Sequence, residues 1–374
     1  MILDRVVEHL LTYGANGGIF CFLVQRKMAI RTVDFRSDTV TKPTESMREA
    51  MANAEVDDDV LGYDPTAQRL EAKMARIMGK KAGLFVPSGT MGNLICLLTH
   101  CQIRGSEVIL GDNSHIQMYE NGGISTIGGV HPRTVKNNED GTMDLDLIEA
   151  AIRDSSFEIL SPTTRLICLE KIEAAIRDSS FEILSPTTRL ICLENSHSRS
   201  GGRCLSVEYT DKVGDLAKKY GLKLHIDGTR IFNASVALGV PVHRLVQAAD
   251  SVSACLSKGL GAPAGSVIVG SKSFISRAKI LRKPLGGGMR QIGVLCAAAS
   301  VALQENLVKL EGDHRNAKIL TEELNKIRGL KVDIATVETN IVYCHIRKGS
   351  KISRTELCKS LEQHGVLVLP EGPM

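Results

Sequence analysis

The sequence predicts an α/β fold: a three-layer sandwich around a doubly wound, mostly parallel sheet, followed by a smaller C-terminal α+β domain. Two observations predict it. From Arg69 onward, short apolar runs alternate with segments of helical period. Short apolar runs separated by helical segments are what a parallel sheet with both faces covered should show. Several end in glycine-bearing turns, at the carboxyl ends where open α/β sheets hold ligands.

The elements follow in order. Residues 1–27 form an atypical N-terminal extension. Its positive charges and its apolar run, Ile19 to Val24, are in the wrong order for a secretory signal, and Asp4 and Glu8 argue against a transit peptide. An arm spans 28–66. The large domain, 67–285, opens with a helix Ala67–Met78, then a strand Ala82–Pro87, then a helix Met91–His100 started by Ser88-Gly89-Thr90. Strands are expected at Glu107–Leu110, Arg189–Leu193, Lys223–Asp227, Ser251–Leu256 and Ser266–Val269. The small domain, 286–374, should hold one long helix, Ile292–Leu310, and strands at Lys331–Ala335, Ile341–Ile346 and Val366–Leu369.

Residues 148–170 recur letter for letter at 172–194. Two copies cannot build a solenoid, so one helix–strand unit is duplicated intact. The sheet has one slot for Arg189–Leu193, so the other copy must loop out or compete for it. A displaced Leu166–Leu169 would be a β-prone aggregation liability.

Composition narrows the function. The 374 residues carry 46 Lys+Arg against 42 Asp+Glu, a formal charge of +4, with 43% hydrophobic and 24% charged residues. Those are values of an ordinary globular protein, too weakly basic to argue for nucleic acid. Trp is absent and aromatics are 4%, which counts against stacking platforms for single strands. The longest early apolar run is far short of the roughly 20 residues a bilayer needs, so no membrane partner is expected. Ten cysteines form no C-x-x-C pair and no zinc spacing. Cys168, Cys192, Cys255 and Cys344 sit in strand-like runs and read as small buried hydrophobes in a reducing, cytoplasmic setting. No metal site is expected.

Three features carry chemistry. Asp227 ends an apolar strand and precedes Gly228-Thr229-Arg230; alone, it could equally be a helix N-cap. Lys258, in Ser257-Lys258-Gly259, ends the next strand among glycines that let a planar group approach, which suits an imine-forming lysine. Ser88, Gly89 and Thr90 place a hydroxyl and free backbone N–H groups around an anion. Neither a P-loop nor a dinucleotide fingerprint is present. Phosphate cradle, strand-end aspartate and strand-end lysine suit pyridoxal phosphate, which needs all three. His115 could stack on its ring.

With these strings in view, the chain resembles the low-specificity L-threonine aldolases, a pyridoxal phosphate family of the aspartate-aminotransferase-like fold (fold type I). The resemblance runs from about Arg31 to Leu369. It rests on Asp34-Phe35-Arg36-Ser37-Asp38-Thr39-Val40-Thr41, the run from Asp57 to Thr66, Ser88 to Asn93, Leu193 to His197, His225 to Arg230, Cys255 to Gly261 and Gly286 to Gln291. It implies cleavage of L-threonine or L-allo-threonine to glycine and acetaldehyde. It also implies that Lys258 carries the cofactor, Asp227 pairs with its ring nitrogen, His115 stacks on it, and Ser88, Gly89 and Thr90 hold the phosphate. Ser37 and Arg230 would bind the substrate carboxylate, and His197 would sit near the β-hydroxyl. Lys283 and Arg290 match positive positions near the cofactor. A homotetramer, built as a dimer of dimers, is expected.

Cofactor motifs alone leave open another β-eliminating lyase or a non-catalytic family member. The sequence departs from the family at Thr229 and Ser196, at the duplication just before His197, and at the C-terminal end, where no residue can be assigned to a further carboxylate-binding arginine. Weak cofactor binding and poor turnover are expected on that ground.

Overall fold

A computed structural model describes residues 32–152, 186–350 and 352–370. The N-terminal extension, Cys168, the strand candidate Leu166–Leu169 and most of the duplicated stretch lie outside them. The arm supplies β1 (Val33–Asp34). The main sheet has seven strands: β2 (Ala82–Val86), β3 (Ser106–Gly111), β4 (His131–Val135), β5 (Thr187–Glu194), β6 (Lys223–Asp227), β7 (Ser251–Cys255) and β8 (Ser266–Gly270). Their order is β2-β8-β7-β6-β5-β3-β4. The pairs β7–β6, β6–β5, β5–β3 and β3–β4 are parallel, while β8 runs antiparallel to both neighbours. Proximity explains that reversal. Only a short turn, Leu256–Gly265, joins β7 to β8, too little chain for a helical crossover.

Alternation within strands decides which layer each side chain meets. In β6, Leu224 and Ile226 join the larger core with Val252, Val267 and Val269, under helices that include Glu45–Ala52, Pro65–Ile77 and Gly293–Glu305. His225 and Asp227 point to the other face, covered by the helix Gly89–His100. That helix comes close because residue 92 is glycine; a Cβ there would lie 2.6 Å from Ser253 Oγ. Ser88 caps its start by accepting the Met91 N–H at 3.2 Å.

The duplicated unit is divided between its copies. The helix Leu145–Ala151 draws on the beginning of the first copy, and β5 is the end of the second. The strand in the sheet is therefore the one covalently continuous with Asn195, Ser196 and His197.

The C-terminal region departs from expectation. The helix Gly293–Glu305 ends in a short 3-10 turn, Leu307–Lys309, and a separate helix, Leu310–Lys326, follows instead of one run from Ile292 to Leu310. Together they are long and apolar enough to cross a membrane, yet Cys296, Ala298, Ala299, Ala302 and Leu303 lie in the main core. The three expected strands shrink to pairs of residues: β9 (Leu330–Lys331), β10 (His345–Ile346) and β11 (Val366–Leu367). β9 and β10 pair antiparallel, and β11 pairs parallel with β1. With so little sheet above it, Cys344 is exposed rather than buried, whereas Cys192 and Cys255 are buried as expected. The eight cysteines among the described residues are free.

Candidate active site

Parallel pairing brings the carboxyl ends of β5 and β6 together, with Glu194 opposite Asp227 in register. Asp227 is 1% exposed. Its Oδ1 accepts the Thr229 N–H at 3.1 Å and the Thr229 hydroxyl at 2.7 Å, and its Oδ2 accepts an Asn93 amide N–H at 3.0 Å. Burial opposes its ionisation, but the His115 and Lys258 charges and the Thr229 hydrogen bond prevail, holding the carboxyl below the usual range. The donors bonded to it are all neutral.

His115 begins a short helix, His115–Met118, after β3. Its Nδ1 lies 3.0 Å from Glu120 Oε1, and its backbone N–H donates to Glu194 Oε2 at 2.8 Å. Burial alone would depress the imidazole, yet Glu120, Asp227 and Glu194 together raise it above its ordinary value. One oxygen or nitrogen each from His115, Glu120 and Asp227 lies within 4.8 Å of the others. Their own hydrogen bonds close that cluster, since Asn93 donates to Glu120 (2.9 Å) as well as to Asp227.

Glu194 collects the second expected histidine. It accepts the Ser198 N–H and hydroxyl at 2.9 and 2.8 Å, and its Oε2 lies 3.9 Å from His197 Nε2. His197 is 1% exposed, its Nδ1 accepts the Ser200 N–H at 3.2 Å, and its Nε2 has no hydrogen-bond partner. Gly141, at φ +86°, lets the neighbouring chain close on that ring; a Cβ there would lie 2.7 Å from His197 Cβ.

Lys258 is half-buried in the β7–β8 turn, where its carbonyl accepts the Thr41 hydroxyl at 2.9 Å. Its ammonium stabilises both Asp227 and Asp38 as carboxylates. Arg230 donates twice to Asp38, Nε at 2.7 Å and Nη2 at 2.6 Å, and Asn340 donates to the same carboxylate at 3.3 Å. Of the five guanidinium N–H groups, three remain for a carboxylate ligand. Ser37 caps the 3-10 turn Asp38–Val40 by accepting the Thr39 N–H at 3.2 Å.

Ser88 and Thr90 are exposed at the start of their helix. A methyl placed on Gly89 would lie 3.6 Å from Ser266 Oγ and 3.8 Å from Thr229 Oγ1. Ser266 is fully buried, yet its hydroxyl has no partner. The loop carrying Lys283 and Arg290 reaches this helix, where Gly287 packs on Met91 and Pro87. The Arg290 guanidinium itself is 57% exposed and ion-paired with Asp58, and Lys283 is exposed.

The structure thus gathers Asp227, His115, His197 and Lys258, with Arg230 beside them across Asp38. Reading the sequence assigned no role to Asp38, Asn93, Glu120 or Glu194. Three of these stand inside the strings quoted above. Glu120 stands in none, and no local signal marks it.

Fold and site define the class: a fold-type I α/β enzyme with an acid–base cluster at the carboxyl edge of a mostly parallel sheet. The family model described as beta-eliminating lyase matches residues 34–171 and 168–347, the two matches meeting inside the duplicated stretch. The chain is 65% identical over 342 residues to low-specificity L-threonine aldolase 1 of Arabidopsis thaliana, covering 91% of this chain and 89% of that protein. It is 38% identical over 328 residues to the low specificity L-threonine aldolase of Escherichia coli (strain K12), covering 88% and 89%. In fold it is similar to a putative L-allo-threonine aldolase from Listeria monocytogenes EGD-E, with a TM-score of 0.67 at 21% identity, covering 87% of this chain and 82% of that one. The chain belongs to the low-specificity L-threonine aldolase family, within the beta-eliminating lyases.

Proposed function

We propose that this protein is a pyridoxal phosphate-dependent aldolase that cleaves L-threonine and L-allo-threonine to glycine and acetaldehyde. The observation that carries the reading is the Asp227 carboxylate, buried, charged and bonded only to neutral donors, with the Lys258 amine close enough to stabilise it. A buried anion so held suits the protonated nitrogen of a pyridine ring. The cradle fits the cofactor's other end. A Cβ on Gly89 would sit in van der Waals contact with the unpartnered Ser266 hydroxyl, so glycine keeps that position free for a ligand at a helix N-terminus whose free N–H groups favour phosphate.

When bound, the cofactor supplies a sink for the electron pair released from the substrate's Cα–Cβ bond. The chain's own groups do the rest. Lys258, whose charge reaches Asp227, would be the residue that holds the cofactor. The three free N–H groups of Arg230, with Ser37, orient the substrate carboxylate, and Asp38 fixes the guanidinium plane. With Nδ1 accepting the Ser200 N–H, the unpartnered, buried His197 Nε2 carries the ring proton and orients the β-hydroxyl and a water, which takes the hydroxyl proton as the carbonyl of acetaldehyde forms. Glu194 anchors the loops bearing His197 and His115. His115, its Nδ1 held by Glu120, would stack on the cofactor ring. Lys283 and Arg290, on the loop packed against Met91, would add positive charge near the cofactor's phosphate. The exposed apolar side chains Leu61, Tyr63 and Ile280 support a contact with a second copy, in keeping with a homotetramer. Free cysteines are in keeping with the cytoplasm.

The test is product analysis of the purified chain with pyridoxal phosphate. Acetaldehyde and glycine in equal amounts from L-threonine, with a visible band that borohydride bleaches and Lys258→Ala lacks, are expected. Ammonia and a keto acid, without acetaldehyde, would replace this reading with β-elimination.

A further inference from the structure

Behind Asp227 a line of buried polar side chains follows the helix Gly89–His100 away from the cofactor edge. Asn93 and His100, seven residues apart, share one face of that helix. His225 and Ser251 sit directly opposite each other on β6 and β7, and both are fully buried. The contacts are continuous: Asn93 Oδ1 to His225 Nε2 at 3.2 Å, His225 Nδ1 to Ser251 Oγ at 2.9 Å, and Ser251 Oγ to His100 Nε2 at 2.8 Å.

Chemistry fixes the direction of each bond. An ionised Asp227 only accepts, so the Asn93 amide nitrogen faces it and the Asn93 oxygen faces His225. That oxygen needs a donor, which places the His225 proton on Nε2. Nδ1 of a neutral His225 then accepts from the Ser251 hydroxyl, and Ser251 in turn accepts from His100 Nε2–H. Both rings are held neutral, burial pushing His225 down to about 4 and His100 to about 3. The titratable groups facing the pair are Asp227 and Lys223 on β6, Asp250 before β7, Cys96 on the helix, Cys192 on β5 and Glu120 beyond Asn93. Burial pushes both thiols up, so they stay uncharged.

We propose that Asn93, His225, Ser251 and His100 form one oriented hydrogen-bond relay, every donor pointing toward Asp227, that fixes this carboxylate as the acceptor for the cofactor's ring nitrogen. These are positioning residues, since only Asp227 would touch the cofactor. The proposal deepens the functional reading above and rests on it for the role of Asp227. The proton arrangement is a property of the chain alone. Aligned bonds polarise one another, so losing a distal member weakens the last donor.

Two experiments test it. Solid-state 15N NMR of histidine-labelled holoenzyme, with His225→Gln and His100→Gln used for assignment, should show both rings neutral with the proton on Nε2 from pH 5.5 to 8.5. A proton on Nδ1 of His225, or a titration midpoint inside that range, overturns the relay. In kinetics, Ser251→Ala and His225→Phe should each lower kcat and weaken pyridoxal phosphate binding by about three- to tenfold, the worth of one hydrogen bond. KM should stay within about twofold on the same grounds, and the acid limb of kcat should move to higher pH, because Asp227 becomes easier to protonate. His225→Gln, which keeps an N–H toward Asn93, should recover most of the loss. Equal losses in His225→Gln and His225→Phe, with an unmoved acid limb, would make these residues mere packing and overturn the proposal. Wild-type turnover in Asp227→Asn would instead overturn the functional reading, and the NMR result would then decide the relay alone.

Discussion

Two buried carboxylates of this protein are satisfied in opposite ways. Asp227 stands at the centre of the sheet's carboxyl edge and receives hydrogen bonds from Asn93 and Thr229 only. Asp59, at the far side of the sheet, is paired with the guanidinium of Arg282, itself 2% exposed. Arg282 also donates to the Phe85 carbonyl at 2.7 Å, and Glu71 accepts the Phe85 N–H at 2.8 Å. Since β2 is an edge strand, those two side chains close the backbone groups that no neighbouring strand covers. A carboxylate neutralised by a guanidinium is committed to structure. One held by neutral donors keeps its charge for a ligand.

If that contrast is right, the two sites should fail in different currencies. Arg282→Met should have the largest effect, lowering stability by about 3–5 kcal/mol in urea unfolding, because Asp59 is left as an uncompensated buried charge. A loss under about 1 kcal/mol, ordinary for a surface pair, would break the comparison. Asp227→Asn should leave unfolding nearly unchanged while lowering kcat on the order of 10²–10³-fold, the size of a lost electrostatic contact in an active site. A stability loss matching that of Arg282→Met would show that Asp227 is structural too.

Glu71 sharpens the edge-strand half of the contrast. Burial, and then the nearby Asp59, push its carboxyl up to about 7 from 4.5, against the opposing Phe85 hydrogen bond and the Arg282 charge. Its folded state therefore favours the proton. The associated stability is fully present below about 4.5 and is lost as pH rises through about 7. Glu71→Gln keeps an acceptor for Phe85 without the charge. Thermal unfolding at pH 8 should find it more stable than wild type by about 1–3 kcal/mol, with the gain gone by pH 4.5. A gain independent of pH would mean the carboxylate is not what limits this edge. The smallest effect belongs to Arg290→Ala. Its exposed pair with Asp58 is worth under about 1 kcal/mol of stability, so any fall in pyridoxal phosphate affinity measured beside that value reports a contact with the cofactor.

Much of this was legible in the residues. Strand positions in the large domain read correctly because β6, β7 and β8 are apolar runs bounded by glycine and by charge. Asp227, Lys258 and the Ser88 turn announced themselves as polar or glycine residues where such runs end. The C-terminal strands misread because short apolar runs such as Ile341–Ile346 satisfy a strand template without a neighbouring sheet to join. β4 carried no readable signal; its run His131–Val135 is half polar, and it forms as the edge partner of β3.

The sequence by itself determined the layer architecture, the family and the identity of the chemical groups, because periodicity and strand-end residues are local properties of the chain. Tertiary structure alone decided which strand ends meet, placing Glu194 opposite Asp227. It alone decided that Asp38 claims one face of Arg230, that Glu194 gathers two histidine loops, and that Asn93 faces Asp227 across 134 residues. Those partners are distant in the chain. Their effect on charge depends on burial, which no local pattern contains.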